Sequence, residues 1–468
     1  MSAATSAMRQ SRLSRGAALA RLALRIGGRY AARSPRLLFG SVERRGELRH
    51  DLALRSADEV AEELGSMKGV LMKLGQMASY IYEDMPATFR AAMSRLQHRA
   101  PPMTSALASS VILEELGDEP ARVFAQWDPV PFAAASIGQV HRAITHDGRA
   151  VAVKVQYPGI ARSITSDMRN VGLLRRIVGA AFPGLDVRSL VDELGERLQE
   201  EVDYAMEAES QELFARYYEG HPYIRVPHVL TELSTSRVLT SELVSGASFD
   251  ELLEWGQEEK DLAAETIHRF VFRSLYRLHA FNGDPHPGNY LFHRGGRVTF
   301  LDFGLTKLFT EEDLAPLVDA VRFLVFEKDY EAFRAALERA GFLKAGAPVS
   351  TDVVVDRFGQ FYGTVLRDAP MTITPSYASA IVRRFFDARG PLAPYSDVPR
   401  AYVIMQRINL GLYALLGSLN ATANWRRIAE EIWPFRNGPP STPIGEAEAR
   451  WESSSVRMGS GGDSAPGR

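Results

Sequence analysis

The segment Asp284-Pro-His-Pro-Gly-Asn289, followed by Asp302-Phe303-Gly304, constrains this chain more than any other. Phosphoryl transfer needs a carboxylate near the acceptor and magnesium held by oxygen ligands beside the phosphates. An Asp followed five residues later by an Asn is the spacing of a kinase catalytic loop. Two predicted strands, Tyr290–Phe292 and Val298–Leu301, flank the turn His293-Arg294-Gly295-Gly296-Arg297 and deliver Asp302 to the end of a strand. Both carboxylates and the amide can then converge on one metal–phosphate cluster. Taken singly, Asp284 and Asn289 read as turn residues and Asp302 as a strand end. Their combined spacing is what points to chemistry.

Upstream, Ala150-Val-Ala-Val-Lys154 predicts a strand after the turn His146-Asp147-Gly148. On it Lys154 shares a face with Ala152 and Ala150. A core-facing ammonium is costly unless paired, and a phosphate oxygen or a helix carboxylate would meet that need. Ordinary protein kinases place G-x-G-x-x-G over the phosphates. The equivalent stretch here, Phe132 to His141, has one glycine, Gly138, and the run Ala133-Ala134-Ala135-Ser136. Alanine restricts the positive-φ conformations that glycine allows, so a stiffer loop is expected.

Composition narrows the remaining classes. The chain has 468 residues and a net charge of -2, which argues against a wholesale polyanion binder and for no nucleic-acid partner. Zero cysteines exclude a disulfide scaffold, a cysteine–zinc site, an iron–sulfur centre and a thiol nucleophile. His141, His279 and His286 do not make a metal-ligand spacing, and His286 reads as a loop scaffold. No stretch reads as a membrane span; Tyr402–Leu419 is interrupted by Arg407 and Asn409. Residues 1–42 carry eight Arg and no acid, which reads as a solvated leader or as a basic segment touching anionic lipid. A cytoplasmic location is expected, peripheral to the inner face of a membrane if membrane-attached at all, and on the mitochondrial matrix side if the source is eukaryotic.

Five segments are expected: a basic leader 1–55, a helical extension 56–100, a strand-containing lobe 101–245 with a helical insertion, a helical lobe 246–433, and a disordered tail 434–468 rich in Gly, Ser and Pro. In the extension, Val60, Leu64, Met67, Leu71 and Leu74 recur at helical spacing, and Ser56 with Glu59 makes a capping box. A short helix Leu107–Leu116, a helical Asp167–Tyr218 and Leu262–Ala280, and strands Arg225–Val229 and Val238–Leu243 complete the outline. Strands first and helices later predict an α+β fold, a small lobe beside a larger helical one.

The motifs resemble those of the UbiB family of atypical protein kinase-like proteins, which includes mitochondrial proteins supporting coenzyme Q biosynthesis. The resemblance runs from about residue 55 to 420. It rests on Ala133–Ser136, on Lys73-Leu74-Gly75-Gln76 and on Glu201-Val202-Asp203. Aminoglycoside phosphotransferases share the Asp284–Asn289 type of loop but lack the other two motifs. The resemblance implies a bilobal protein-kinase-like fold. By position, Lys154 is the phosphate-contacting lysine and Glu207 its helix partner, with the long separation explained by an insertion over Asp167–Glu196. It implies that Ser241-Glu242-Leu243-Val244 holds adenine and that Ala133–Ser136 covers the phosphates. Asp284 is then the catalytic aspartate, and Asn289 and Asp302 are the magnesium ligands. Lys73 pairs with Glu201 or Asp203, Gln76 faces the nucleotide, and their helix covers the acceptor side. No A-P-E element follows Gly304, which argues against ordinary peptide docking.

The activity so implied is an ATP- and Mg²⁺-dependent kinase or ATPase, serving isoprenoid-quinone or lipid metabolism, with a lipid or isoprenoid-quinone precursor as partner. Two alternatives stand beside it. A small-molecule phosphotransferase requires an open acceptor pocket beside Asp284. A non-catalytic nucleotide-binding regulator has no need of Asp284.

Overall fold

The computed structural model describes residues 103–135, 137–160, 202–282, 285–386, 391–392, 394–396 and 399–459. The expected leader, the extension with Lys73 and Gln76, and the insertion lie outside these residues, as do Ser136, Glu201 and Asp284. The chain divides into two compact units. One holds the described residues up to Ala205 together with Leu230–Ser241; the other holds Met206–Val229 and everything from Glu242 onward.

The first unit is built around strands β1 (Gln126–Trp127), β2 (Ala133–Ala134), β3 (Gly138–Ile144) and β4 (Ala150–Gln156). β3 and β4 form an antiparallel hairpin from Gly138↔Gln156 to Ile144↔Ala150, and β1 and β2 both pair with β3. Gly148 turns the hairpin at φ 87°, a backbone region that disfavours side chains. Val151, Val153 and Val155 are fully buried against helix α1 (Ser105–Leu116), through Ala108, Val111 and Ile112. Thr104 caps α1 by accepting the Leu107 N–H, and Gly117 ends it in the left-handed conformation. Alternation on β4 therefore puts Lys154, with Ala150 and Ala152, on the face opposite the core. This corrects the expectation of a core-facing ammonium: the three valines claim the core side because branched apolar residues gain most from burial.

The second unit starts in helix α2 (Tyr204–Tyr217), whose first two residues belong to the first unit. Strand β5 (Ile224–Arg225) is shorter than the predicted Arg225–Val229. Pro227 has no N–H to give a ladder, and the next two amides turn to side chains: His228 and Val229 donate to the carboxylates of Glu242 and Glu212. Strand β6 (Val238–Glu242) ends at the border between the units. Helix α3 (Gln257–Arg273) continues as a π-helical turn to Leu278, where His279 at φ 54° redirects the chain. Three short pairs follow. β7 (Ala280–Asn282) pairs with β10 (Thr306–Leu308), and β8 (Tyr290–Phe292) pairs with β9 (Val298–Phe300), which also takes β5 in parallel. Helices α4 (Glu311–Val321), α5 (Tyr330–Ala340), α6 (Thr351–Gly359), α7 (Pro375–Phe386), α8 (Arg400–Ser418) and α9 (Trp425–Ile432) supply most of one large core around Phe270, Phe300, Phe333 and Trp425. Among the described residues, no helix is long and apolar enough to cross a membrane.

The expected disordered tail is overturned over Pro443–Gly459, which form helix α10. It meets the rest of the fold through buried Ile444 and Glu448, half-buried Trp451 and, at its edge, Glu452, with charges where an apolar pattern was sought. Those charges are legible only against their partners, Arg269 and Arg273 on α3, which are buried there.

Candidate functional site

In the first unit the three-alanine run is an extended strand, not an open loop. Ala133 and Ala134 pair with Val140 and Gln139, and Ala135 donates its N–H to Gly138 O at 2.9 Å. Gly138 has a steric reason to be glycine. A β-carbon there would collide with the Val155 carbonyl oxygen and sit 2.7 Å from the Tyr204 hydroxyl. Behind the strand a buried polar chain fixes β3. Gln139 Oε1 accepts from Met103 N at 2.9 Å, and Gln139 Nε2 donates to His141 Nε2 at 2.8 Å. His141 Nδ1 then donates to Asp128 O at 2.8 Å. Desolvation lowers the His141 pKa, so the imidazole is neutral and this donor–acceptor order is self-consistent.

Lys154 lies half-buried on the side of β4 opposite Val151, Val153 and Val155, with its Nζ 4.8 Å from the centre of the Tyr204 ring. Such a contact favours the charged ammonium without neutralising it. Gln156 Nε2 donates to Val202 O at 2.8 Å and ties the entry of α2 to the end of β4. Asp203 Oδ1 accepts the Ala205 N–H at 3.0 Å, satisfying an amide of the first helical turn.

In the second unit, backbone bonds bring the metal-ligand candidates together. Leu301 N donates to Asn289 O at 3.0 Å, so Asn289 lies beside the strand end that carries Asp302. His286 Nδ1 accepts from Gly288 N at 2.9 Å and shapes the loop before Asn289, the scaffold role expected of it. Asp302 is held at two points. Its carbonyl accepts from Asn282 Nδ2 at 2.7 Å, and its Oδ1 accepts from Gly304 N at 3.1 Å. Asn282 was not singled out in the sequence, although it stands two residues before Asp284; only the β7–β10 pairing shows that it meets Asp302. Phe303 is fully buried, its ring 4.9 Å from Phe214 of α2. Glu207, one turn into α2, is nearly buried, and its Oε2 lies 3.6 Å from where a β-carbon on Gly304 would stand. Glu207, Asn289 and Asp302 are thus gathered around the Asp302-Phe303-Gly304 turn.

The predicted adenine segment begins in β6, which ends at Glu242; Leu243 and Val244 continue beyond the strand. Gly246 lets this stretch pass over β8, since a β-carbon there would sit 2.8 Å from that of Leu291. The donor set of Asn289 and Asp302 is one amide and one carboxylate oxygen, which suits a hard cation such as Mg²⁺ with phosphates supplying further ligands.

The model of the ABC1 atypical kinase-like domain matches residues 95–337. The chain is 33% identical over 321 residues to the atypical kinase COQ8B, mitochondrial, of Rattus norvegicus, covering 67% of this chain and 60% of that protein. It is 32% identical over 257 residues to the atypical kinase COQ8, mitochondrial, of Saccharomyces cerevisiae, covering 54% and 51%. These matches span about half to three fifths of each relative's length. Among solved structures, a Mycobacterium tuberculosis protein in complex with erythromycin aligns with a TM-score of 0.60 at 30% identity, over 84% of this chain and 100% of that one.

Proposed function

The chain belongs to the ABC1 atypical kinase-like, or UbiB, family, and from that premise we propose that it binds ATP with magnesium and transfers or hydrolyses the γ-phosphate. The observation that carries this reading is the gathering of Asn289, Asp302 and Glu207 around one turn, pinned by the Leu301–Asn289 and Asn282–Asp302 bonds. An Asp302 carboxylate held by the Gly304 N–H, beside an Asn289 main chain held by the Leu301 N–H, needs little reorganisation when charge develops on a phosphate. Magnesium, when bound, supplies charge neutralisation at the phosphates.

This chain's own residues do the rest. Asn289 and Asp302 hold the cation, Asp284 accepts the acceptor's proton, and Lys154 contacts a phosphate oxygen. The β2–β3 pairing keeps Ala133 and Ala134 extended, the Ala133–Ser136 segment covers the phosphates, and Ser241–Val244 receives the adenine. Lys73 and Gln76 of the extension, with Glu201 and Asp203, restrict the acceptor side. An isoprenoid-quinone or lipid pathway is the proposed setting, because relatives carry COQ8 names and the first 42 residues are Arg-rich without acids. Purified protein given Mg²⁺ and ATP is expected to release phosphate, faster with anionic vesicles than without. Release that persists unchanged in excess EDTA would reject the reading.

A further inference from the structure

Helix α10 lies outside the stretch that matches the family domain, yet it contacts the helix that carries Glu207. We infer that α10 is an intramolecular brace that holds α2, and through it Glu207 and Phe303, in the arrangement needed for phosphoryl transfer, with Trp451 and Glu448 as its positioning residues. The inference rests on the function proposed above and adds a control element to the same site.

Trp451 grips the C-terminal end of α2. Its Nε1–H donates to Glu219 O at 2.9 Å, and its ring stands 4.6 Å from His221 and 6.3 Å from Tyr217. It also stacks parallel to Tyr218 and lies under the Arg273 guanidinium. Glu448 grips the same place from the next turn. His221 Nδ1 accepts from Ile224 N and Tyr223 N, so its Nε2–H is the donor to Glu448 Oε1 at 3.1 Å. The other oxygen of Glu448 receives Arg269 at 2.8 Å and Arg273 at 3.5 Å. One carboxylate therefore joins α3, α10 and the turn that ends α2.

The chemistry makes this docking all-or-none. Arg273 is almost wholly buried, and the two carboxylates that pair with it, Glu448 and Glu452, both lie on α10. Lifting α10 away would break both of these ion pairs and the Glu448–Arg269 pair together. Burial opposes ionisation of Glu448, but the His221 hydrogen bond and the two arginines overcome it and hold its pKa at about 2. The helix approaches so closely that Gly445 has no room for a side chain: a β-carbon would run into the Glu431 carboxylate and sit 2.8 Å from Arg269 Nη2.

Two other residues of α2 meet the site, Phe214 one turn from the gripped end and Glu207 near the helix start. Phe214 lies under Phe303, and Glu207 faces Gly304. From Tyr217 to Glu207 is about 15 Å of continuous helix at 1.5 Å per residue, so a shift at one end is carried to the other as a rigid body.

The full-length Trp451→Ala variant tests the brace by two readouts. Amide exchange should quicken across residues 205–221 as well as in α10 while α5 and α6 exchange as in wild type. Phosphate release at saturating Mg²⁺ and ATP should fall by about tenfold, with the circular-dichroism spectrum retained. Trp451→Phe, which keeps the ring packing, should recover most of the rate. If Trp451→Ala fails to fold, Glu448→Gln is read in the same way. Faster exchange confined to α10, or an unchanged rate, would make α10 a mere stabilising strap and overturn the inference. Should wild type release no phosphate at all, the function proposed above fails, and exchange at residues 205–221 alone decides the brace.

Discussion

Asp302→Asn is expected to erase the magnesium-dependent part of ATP-induced thermal stabilisation while leaving the fold intact. The amide replaces one oxygen and removes the negative charge, so a divalent cation loses its anionic protein ligand. The features that place this turn do not depend on that charge. Asn282 bonds the Asp302 main-chain carbonyl, Phe303 remains buried against Phe214, and an amide oxygen can still accept from Gly304 N. Phosphate release should drop by about 10²–10³, the range for losing one preorganised electrostatic contact to a transition state. Thermal-shift titration with ATP, with and without Mg²⁺, checks it. A full magnesium-dependent shift in the variant would remove Asp302 from the metal site.

Lys154→Ala and Lys73→Ala are expected to diverge. Lys154 sits half-buried on the face of β4 away from Val151, Val153 and Val155, so its loss spares that core cluster. The loss removes an ammonium contact with Tyr204, worth about 0.5–1 kcal/mol, and the proposed phosphate contact among its interactions. The expected outcome is a folded protein with activity reduced by about 10² or more. Lys73 lies outside the described residues, and its role rests on the family resemblance, which pairs it with Glu201 or Asp203 over the acceptor side. Removing it should raise phosphate transfer to the protein itself while lowering normal turnover. Radiolabel incorporation and phosphate release, measured on both variants in parallel, decide the matter. Wild-type behaviour of Lys73→Ala in both assays would make it a solvated helix residue.

Local grammar was legible wherever one physical demand governs a short stretch. The valine alternation of β4, the hairpin carrying Asp302 and the helix before Gly117 all appear close to their expected bounds, because alternation, turn glycines and caps act over a few residues. The sequence reading failed where the decisive partner is distant. Arg225–Val229 looks like a strand until Glu212 and Glu242 claim its amides. Residues 443–459 look like a polar tail until Arg269 and Arg273, more than 170 positions earlier, receive Glu448 and Glu452. Gly138 stands out in the sequence only as the one glycine of the stretch Phe132–His141, whereas its lack of a side chain is required by the approach of Val155 and Tyr204. In each case the determining contact is long-range, and periodicity carries no record of it.

The central claim is a magnesium-dependent ATP site built on Asn289 and Asp302. Its most direct test is a thermal-shift titration of the full-length protein with ATP in the presence of Mg²⁺ and again in excess EDTA. A saturable stabilisation that requires Mg²⁺ is the predicted result, because two protein oxygens cannot complete the cation's shell without the phosphates. An equal shift in EDTA would contradict it.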